Sequence, residues 1–222
     1  MTRRKIEFDE TRDRLIEAVR AHVPFDGWGE KALLAAAEDC GIDADTARRA
    51  FPRGAASLIE YHAASGDRRM EAALAAETLE GKGVRRSIAA AVRLRLAQEA
   101  DHPEAARAAL AFLAQPTQAR LSLTCLYRTV DKIWFAIGDK STDFNFYSKR
   151  ALLAGVYGAT FLYWLDDDSE DHGESWAFLD RRLEDVMKLG RLRAKLQSFL
   201  PSPEIMANLA KRGRAGRPWP KY

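Results

Sequence analysis

The chain of 222 residues is 47% hydrophobic and 30% charged, a composition that supplies a core and excludes an intrinsically disordered chain. Its longest uncharged stretch, residues 151–165, is shorter than the ~20 residues that span a bilayer as a helix. The formal net charge of +3 is unevenly distributed, because acidic residues outnumber basic ones over residues 1–60 while basic residues collect at 204–222. The basic end is therefore the expected site for an anionic partner.

Helical periodicity predicts an all-α chain of about ten helices. The first three predicted helices occupy about residues 9–23, 30–40 and 43–51. Pro24, Gly41 and Pro52 are expected to end them in turn, and Asp43 or Asp45 is expected to cap the third. The remaining helices are predicted at about 54–77, from Val84 onward, at 103–114, 116–137, 143–165 and 174–199, and after Pro203.

Two details of these later helices are specific enough to test. Helix 54–77 has a possible break at Ser65-Gly66. The helix from Val84 places its apolar residues at helical spacing, which directs the arginines to the outside. The arginines expected on that outer face are Arg85, Arg86, Arg93 and Arg95.

The first three helices resemble the N-terminal helix-turn-helix module of TetR-type regulators. In that module Thr46, Arg48 and Arg49 would contact DNA. However, residues 1–60 are net negative, and DNA binding is driven largely by neutralisation of phosphates. The module is therefore predicted to retain the fold without binding nucleic acid, and a TetR-type repressor with a hydrophobic effector pocket is the alternative.

The most informative segment is WFAIGDKSTDFNFYSKR at 134–150, followed by the apolar run, an acidic loop and WAFLDRR at 176–182. This order resembles the accessory lipid-binding protein family of ubiquinone (coenzyme Q) biosynthesis, whose members have a TetR-like fold. The matching residues are Gly138, Asp139, 141–145, Tyr147, Lys149, Arg150, Trp176, Phe178 and Leu179. The chain departs from the family at Phe146, where many members have tryptophan.

The resemblance implies a non-enzymatic protein that binds a lipid or an isoprenoid quinone precursor and presents it to a hydroxylase of the ubiquinone pathway. The predicted partner-binding residues are Asp143, Phe146, Tyr147 and Arg150. Aromatic residues and arginine commonly anchor protein interfaces. A core role for Phe146 and Tyr147 is the alternative.

The helix over 151–165 is apolar on nearly every side and needs cover all round. A second copy of the chain is the predicted cover, with Gly155 and Gly158 permitting close approach, so the protein is expected to be a homodimer. The surplus of aromatic residues also predicts a lipid cavity, with simple core packing as the alternative. The predicted lipid-binding residues are Phe112, Trp134, Phe135, Leu153, Tyr157 and Phe161.

The C-terminal end combines an apolar stripe with a basic tail, a pattern typical of a reversible membrane-surface helix. The predicted membrane-binding residues are Ile205, Met206, Leu209, Lys211 and Arg212, and a frayed, solvated tail is the alternative. The predicted organisation is thus a helix-turn-helix-like module over 1–53, a lipid-binding and dimerisation domain over 54–200, and a membrane-binding tail over 201–222.

No catalytic pattern is found in the sequence. The four histidines form no metal-binding spacing, no glycine-rich phosphate loop follows a strand, and the acidic loop after residue 165 lacks EF-hand spacing. The chain is therefore predicted to be no enzyme and to need no metal or cofactor. Cys40 and Cys125 form no CxxC motif, and no apolar signal segment follows Met1. These features predict a mature start and a cytoplasmic protein. The C-terminal pattern and the family resemblance imply that it associates peripherally with the inner membrane.

Overall fold

The computed structural model describes residues 3–77, 83–139 and 144–199, apart from the side chains of residues 3–6, 144–146 and 189–199. Within these ranges the chain forms nine α-helices and two short 3-10 turns, and no strand. The all-α prediction is confirmed. The helix predicted after Pro203 lies outside the described residues.

The helices follow one another in chain order. They are α1 (Arg3–Asp26), α2 (Glu30–Asp39), α3 (Ala44–Ala50), α4 (Ala55–Ala76), α5 (Val84–Ala97), α6 (Pro103–Leu113), α7 (Ala119–Ala136), α8 (Phe144–Leu165) and α9 (Gly173–Phe199). The 3-10 turns are Pro116–Gln118 and Glu170–His172.

Three helices differ from the sequence prediction, and the first of them, α1, also begins earlier than predicted, at Arg3. Helix α1 continues through Pro24, because a proline in the last turn removes only one backbone hydrogen bond and the turn still closes from the Gly27 N–H to the Val23 carbonyl at 2.9 Å. Helix α4 runs unbroken through Gly66. Helix α7 begins at Ala119, after the 3-10 turn that Pro116 opens.

The three-helix module at the N-terminus forms as its turn residues predict. Gly41 adopts φ +64°, the left-handed conformation that a helix-ending glycine takes most easily. The Asp43 carboxylate accepts a hydrogen bond from the Thr46 N–H at 2.9 Å, which caps α3.

One hydrophobic core joins the three-helix module to the helices that follow. The buried face of α1 packs with α2 and α3, as its spacing predicts, and α4 and α6 contribute to the same cluster. The larger members are Leu15, Ile16, Val19, Val23, Trp28, Leu33, Phe51, Leu58, Ile59 and Tyr61. The boundary predicted after residue 53 therefore lies inside a continuous core. Residues 1–181 form one compact unit.

A second compact unit comprises residues 182–222. In its described part, Arg182 pairs with Asp185 at 2.9 Å and Lys188 with Glu184 at 3.0 Å, both at the spacing of neighbours on a helix surface.

A buried cluster of charged side chains connects α4, α5 and α7. Arg95 on α5 donates to Glu99 at 2.7 Å and to Asp67 of α4 at 3.3 Å. Asp67 also accepts from Arg128 at 3.1 Å and from the Thr129 hydroxyl at 2.8 Å. The prediction that Arg95 faces outward is wrong: its side chain is 4% exposed because two buried carboxylates pair with it.

The cluster keeps its charges by mutual pairing. Burial by itself raises the pKa of Glu99, but the neighbouring His62, at 3.1 Å, and Arg95 outweigh it and hold that pKa well below its usual range. Burial likewise opposes the charge of Arg95, and the surrounding acidic groups raise its pKa nonetheless. Removing one partner from such a cluster lowers the stability of the fold far more than that partner's net contribution suggests, because the remaining charge is left buried and unpaired.

Candidate functional site

The candidate site lies where α7 ends and α8 begins. Gly138 takes φ +83° there, and two backbone hydrogen bonds close the helix, from Gly138 N–H to the Phe135 carbonyl at 3.0 Å and from Asp139 N–H to the Trp134 carbonyl at 3.0 Å. This is the Schellman arrangement, which needs a left-handed residue that glycine adopts without strain. The Gly138-Asp139 dipeptide therefore has a structural reason: it ends α7 and places the Asp139 carboxylate beside α8.

Arg150 of α8 is directed inward, where the sequence predicts a surface residue. Its guanidinium donates to Asp131 at 2.7 Å and lies 3.8 Å from Asp139, and its side chain is 6% exposed. The correction has a clear physical cause, since two carboxylates from α7 and its C-terminal turn attract the cation away from solvent. In the single chain, Arg150 therefore fixes α8 against α7.

Tyr147, one helical turn before Arg150, lies at the surface with 67% of its area exposed. Phe135, near the end of α7, is 71% exposed. Asp143 and the side chain of Phe146, the other two predicted partner-binding residues, lie outside the described residues. Of the four predicted residues, the structure thus places Tyr147 on the surface and Arg150 in the ion-pair network.

Lys149 completes the charged network at this junction. Its ammonium pairs with Asp139 at 3.0 Å and lies 5.4 Å from the centre of the Trp134 ring. Trp134 is buried, and its indole N–H has no hydrogen-bond partner among the described residues. The basic pair Lys149-Arg150 and the aspartates before it therefore form one polar brace between the two helices.

Of the six predicted lipid-binding residues, the structure brings Tyr157 and Phe161 of α8 into contact. Phe112 packs against the N-terminal core, Trp134, Leu153 and Tyr157 are buried, and Phe135 is exposed. Phe161 is partly buried, with its ring centre 6.0 Å from that of Tyr157. That all six residues line one lipid cavity stays a prediction.

Two surface hollows are described, and none of those six residues lines either. One, of about 740 Å³, lies between α5 and the first turns of α9. The other, of about 750 Å³, lies along α7 and is lined by Arg120, Leu123, Thr124, Tyr127 and Arg128.

Helix α8 has an exposed stripe along its length. Leu152 is 38% and Leu162 is 62% exposed, and nothing approaches within 4 Å of a Cβ built at Gly155 or Gly158. Ala159 lies on the same exposed face. In the single chain, one side of this apolar helix is therefore uncovered, as the sequence pattern implies.

The cations predicted to contact DNA are engaged within the module itself. Arg48 pairs with Glu30 at 2.8 Å and with Asp45 at 3.3 Å, and Arg49 donates to the Thr46 hydroxyl at 2.7 Å. A phosphate would have to compete with the two carboxylates at Arg48 and with the Thr46 hydroxyl at Arg49.

Over the described part of the chain, no group of three or more His, Cys, Asp or Glu side chains could hold a metal ion. In those same ranges no helix has the length and apolar character needed to cross a bilayer. The predicted membrane-binding residues, Ile205, Met206, Leu209, Lys211 and Arg212, lie outside the described residues.

Sequence reasoning missed two features that the structure brings together. The buried cluster around Arg95 joins residues distant in sequence, and no local pattern indicated it. Arg85 and Arg86 line the α5–α9 groove. The sequence does contain an indication for Arg85 and Arg86, because arginine is unfavourable in the first turn of a helix, where the dipole is positive.

The COQ9 family model matches residues 119–190, which cover α7, α8 and the first turns of α9. Mitochondrial ubiquinone biosynthesis protein COQ9 of Rattus norvegicus is 30% identical over 86% of this chain and 63% of its own length. The Drosophila melanogaster protein of the same description is 30% identical over 88% and 61%, and that of Homo sapiens 29% identical over 86% and 62%. The chain thus spans about three-fifths of the length of these relatives.

Among solved structures, a TetR transcriptional regulator from Nitrosomonas europaea ATCC 19718 matches with a TM-score of 0.62 and 20% sequence identity, over 79% of this chain and 97% of the other. At that identity the likeness concerns the fold, and the predicted TetR-like architecture is confirmed. The sequence likeness extends well beyond the segment at 130–190 that indicated it. By sequence the chain is related to the COQ9 proteins along most of its length, on a TetR-like fold.

Proposed function

We propose that this chain is a non-enzymatic accessory protein of ubiquinone biosynthesis, which binds a lipid or isoprenoid quinone precursor at a membrane surface and presents it to a hydroxylase. The observation that carries the proposal is the match to COQ9 proteins, which are described as ubiquinone biosynthesis proteins, over 86% of the chain. An isoprenoid precursor is costly to expose to water, and a protein that shelters its apolar chain lowers the cost of reaching an enzyme.

The α7–α8 junction supports the hydroxylase-docking part of the proposal. Tyr147 and Phe135 expose large aromatic surfaces near one end of α7, and the ion pairs of Arg150 fix the helix that carries Tyr147. An exposed aromatic side chain on a rigid backbone loses little conformational entropy on binding, which is typical of residues that dominate interface energies.

The docking test is a pull-down with the quinone-precursor hydroxylase of the same organism. Tyr147→Ala is expected to weaken capture by about tenfold or more, the size of effect typical of a central interface aromatic. Tyr127→Ala, at an exposed tyrosine on α7, is the matched control and is expected to leave capture unchanged. If Tyr147→Ala captures the hydroxylase as well as Tyr127→Ala does, Tyr147 is not part of the docking surface.

Arg150→Ala is informative in a different way. Because Arg150 is buried in ion pairs, its loss is expected to lower the thermal stability as well as capture, whereas Tyr147→Ala lowers capture alone. Loss of capture without loss of stability in Arg150→Ala would indicate direct contact with the partner.

The lipid part of the proposal is tested by organic extraction and mass spectrometry of the purified protein. A bound isoprenoid or other lipid is expected in the extract, and co-sedimentation with liposomes is expected to depend on residues 203–222. Recovery of no lipid, together with no liposome binding, would refute this part of the proposal.

The exposed stripe of α8 supports a homodimer, since Gly155 and Ala159 leave room for a close neighbour between Leu152 and Leu162. Burying such a face against a second copy would give α8 the cover that its apolar character demands.

The alternative, a TetR-type repressor, rests on the helix-turn-helix-like module. The internal pairing of Arg48 and Arg49 and the net negative charge of residues 1–60 argue against it. A gel-shift titration against sheared genomic DNA at two salt concentrations separates the two functions. Nanomolar specific binding with a steep dependence on salt would favour the repressor.

A further inference from the structure

We infer that the groove between α5 and α9 binds a long-chain carboxylate, with the carboxylate at the start of α5 and the alkyl chain along the alanine face of that helix. The groove has a volume of about 740 Å³, within the range of small-molecule sites. It is lined by none of the residues predicted to hold a lipid, so the inference goes beyond the proposed function.

The basic end of the groove is formed by Arg85 and Arg86, in the first turn of α5. That turn contains no acidic residue, although the positive end of a helix dipole normally favours one. Neither arginine forms a hydrogen bond or an ion pair with any other described residue. Two guanidinium groups that have no partner among the described residues repel one another and the positive end of the helix dipole, and a bound anion would relieve both effects.

The floor of the groove is apolar and shallow because the side chains there are small. Ala89, Ala90 and Ala97 of α5 line it together with Leu94, along one face of the helix. From Arg86 to Ala97 this face extends about 16 Å at the rise of an α-helix. Charge at one end and a narrow apolar track along the rest match a single-chain amphiphile better than a compact polar ligand.

The opposite wall, from α9, is held in place by polar contacts. Arg93 donates to Asp180 at 2.8 Å and lies 5.8 Å from the centre of the Trp176 ring, and the Trp176 N–H donates to the Asp171 carbonyl at 2.8 Å. The Arg93 Nε is buried and has no hydrogen-bond partner among the described residues. The Trp176 ring therefore lines the groove in a fixed position, offering a flat apolar surface to a ligand.

The acidic side chains of the described lining favour a carboxylate over a phosphate. The arginines there face two carboxylates, Glu77 and Asp180, and Asp180 pairs with Arg93. A phosphate monoester, with a charge of about −1.5 to −2 at neutral pH, would be repelled by these acidic side chains more strongly than a monoanion would. A carboxylate can in addition accept two parallel hydrogen bonds from one guanidinium.

The test uses the full chain and the fluorescence of dansyl-labelled undecanoic acid, which palmitate, hexadecanol and hexadecyl phosphate then displace at concentrations below aggregation. Palmitate is expected to displace the probe at least about tenfold better than either competitor, since only it satisfies both ends of the groove. Equal displacement by hexadecanol would overturn the anion site. Stronger displacement by hexadecyl phosphate would overturn the carboxylate assignment.

Two variants locate the binding site. Arg85→Gln/Arg86→Gln is expected to weaken probe binding by about tenfold or more through loss of the charge-assisted hydrogen bonds. Ala90→Leu is expected to weaken it similarly by filling the floor while leaving the charge unchanged. Arg181→Gln, at an exposed arginine of α9 outside the groove lining, is the matched control and should bind as the wild type does. Unchanged binding in both groove variants would overturn the site.

Three readouts separate the remaining explanations. An unaltered melting curve in circular dichroism shows that the variants fold. If both groove variants lose probe binding because they unfold, the inference is overturned. Binding of Arg85→Gln/Arg86→Gln to the probe at wild-type strength, with loss only of binding to anionic vesicles, would assign the arginines to a membrane surface instead. Lipid is expected to be recovered by extraction from these variants as well. A negative result for carboxylate binding in the groove would therefore leave the proposed function unchanged.

Discussion

Replacement of Gly66 by alanine tests the buried charged cluster most directly. Gly66 is buried in the middle of α4, and a Cβ built there would lie 2.7 Å from Cζ, 2.9 Å from Nη2 and 3.0 Å from Nε of Arg95. These are repulsive distances. The guanidinium has little freedom to move away, because Asp67 and Glu99 hold it and its side chain is 4% exposed.

The magnitude follows from three opposing effects. An alanine in a helix interior is more favourable than glycine by about 1 kcal/mol. Overpacking of a closed interior costs about 1–3 kcal/mol, and displacement of Arg95 weakens its two buried ion pairs. The net effect expected for Gly66→Ala is a loss of about 1–2 kcal/mol in the free energy of unfolding, or roughly 2–8 °C in Tm for a chain of this size.

Urea unfolding monitored by circular dichroism measures the effect. Gly155→Ala is the matched control, since Gly155 is a helical glycine with nothing within 4 Å of its built Cβ. It is expected to gain about 0.5–1 kcal/mol, and a series of chain concentrations separates any effect of self-association. If Gly66→Ala proves as stable as the wild type or more so, the described packing of Arg95 against α4 is incorrect.

Two further predictions concern acidic residues. The pKa of Glu99 is lower in the folded chain than in the unfolded one, because His62 and Arg95 outweigh burial. The ionised Glu99 carboxylate therefore stabilises the folded chain above the unfolded pKa, near 4.5. This stabilisation is lost as the pH falls through the folded pKa. Glu99→Gln should cost about 3–5 kcal/mol at neutral pH and flatten the fall in stability measured from pH about 5 downward; an unchanged slope would contradict the pairing. Asp43→Ala should cost about 1 kcal/mol by removing the cap on the Thr46 N–H, measured by thermal unfolding, and no change would show that solvent replaces the cap.

The helices could be predicted from sequence because their determinants are local. The buried face of α1, the cap at Asp43 and the turn at Gly41 each depend on residues within a few positions, and the structure confirms all three. The predicted helix boundaries were wrong where a single residue type had been taken to end the helix. Pro24 lies inside α1 because one lost hydrogen bond near a helix end is affordable when the next turn closes.

The candidate site was only partly predictable. The order of residues around Gly138 and Tyr147 indicated the family, and relatives over most of the chain confirm that relation. The direction of Arg150 was not predictable, because it depends on Asp131, nineteen positions earlier on another helix. A helical pattern gives the face on which a residue lies but not the charges that approach that face from elsewhere.

The sequence by itself determined an all-helical chain with an acidic N-terminal module and a basic C-terminal end, since composition and helical period require no knowledge of long-range contacts. Only the tertiary structure decided which arginines are buried and which are free. Arg95 is paired inside the bundle, while Arg85 and Arg86 on the same helix remain at a groove. The physical reason is that a cation is stable in the interior only beside carboxylates, and folding alone brings Asp67 and Arg95 together across 28 positions of the chain.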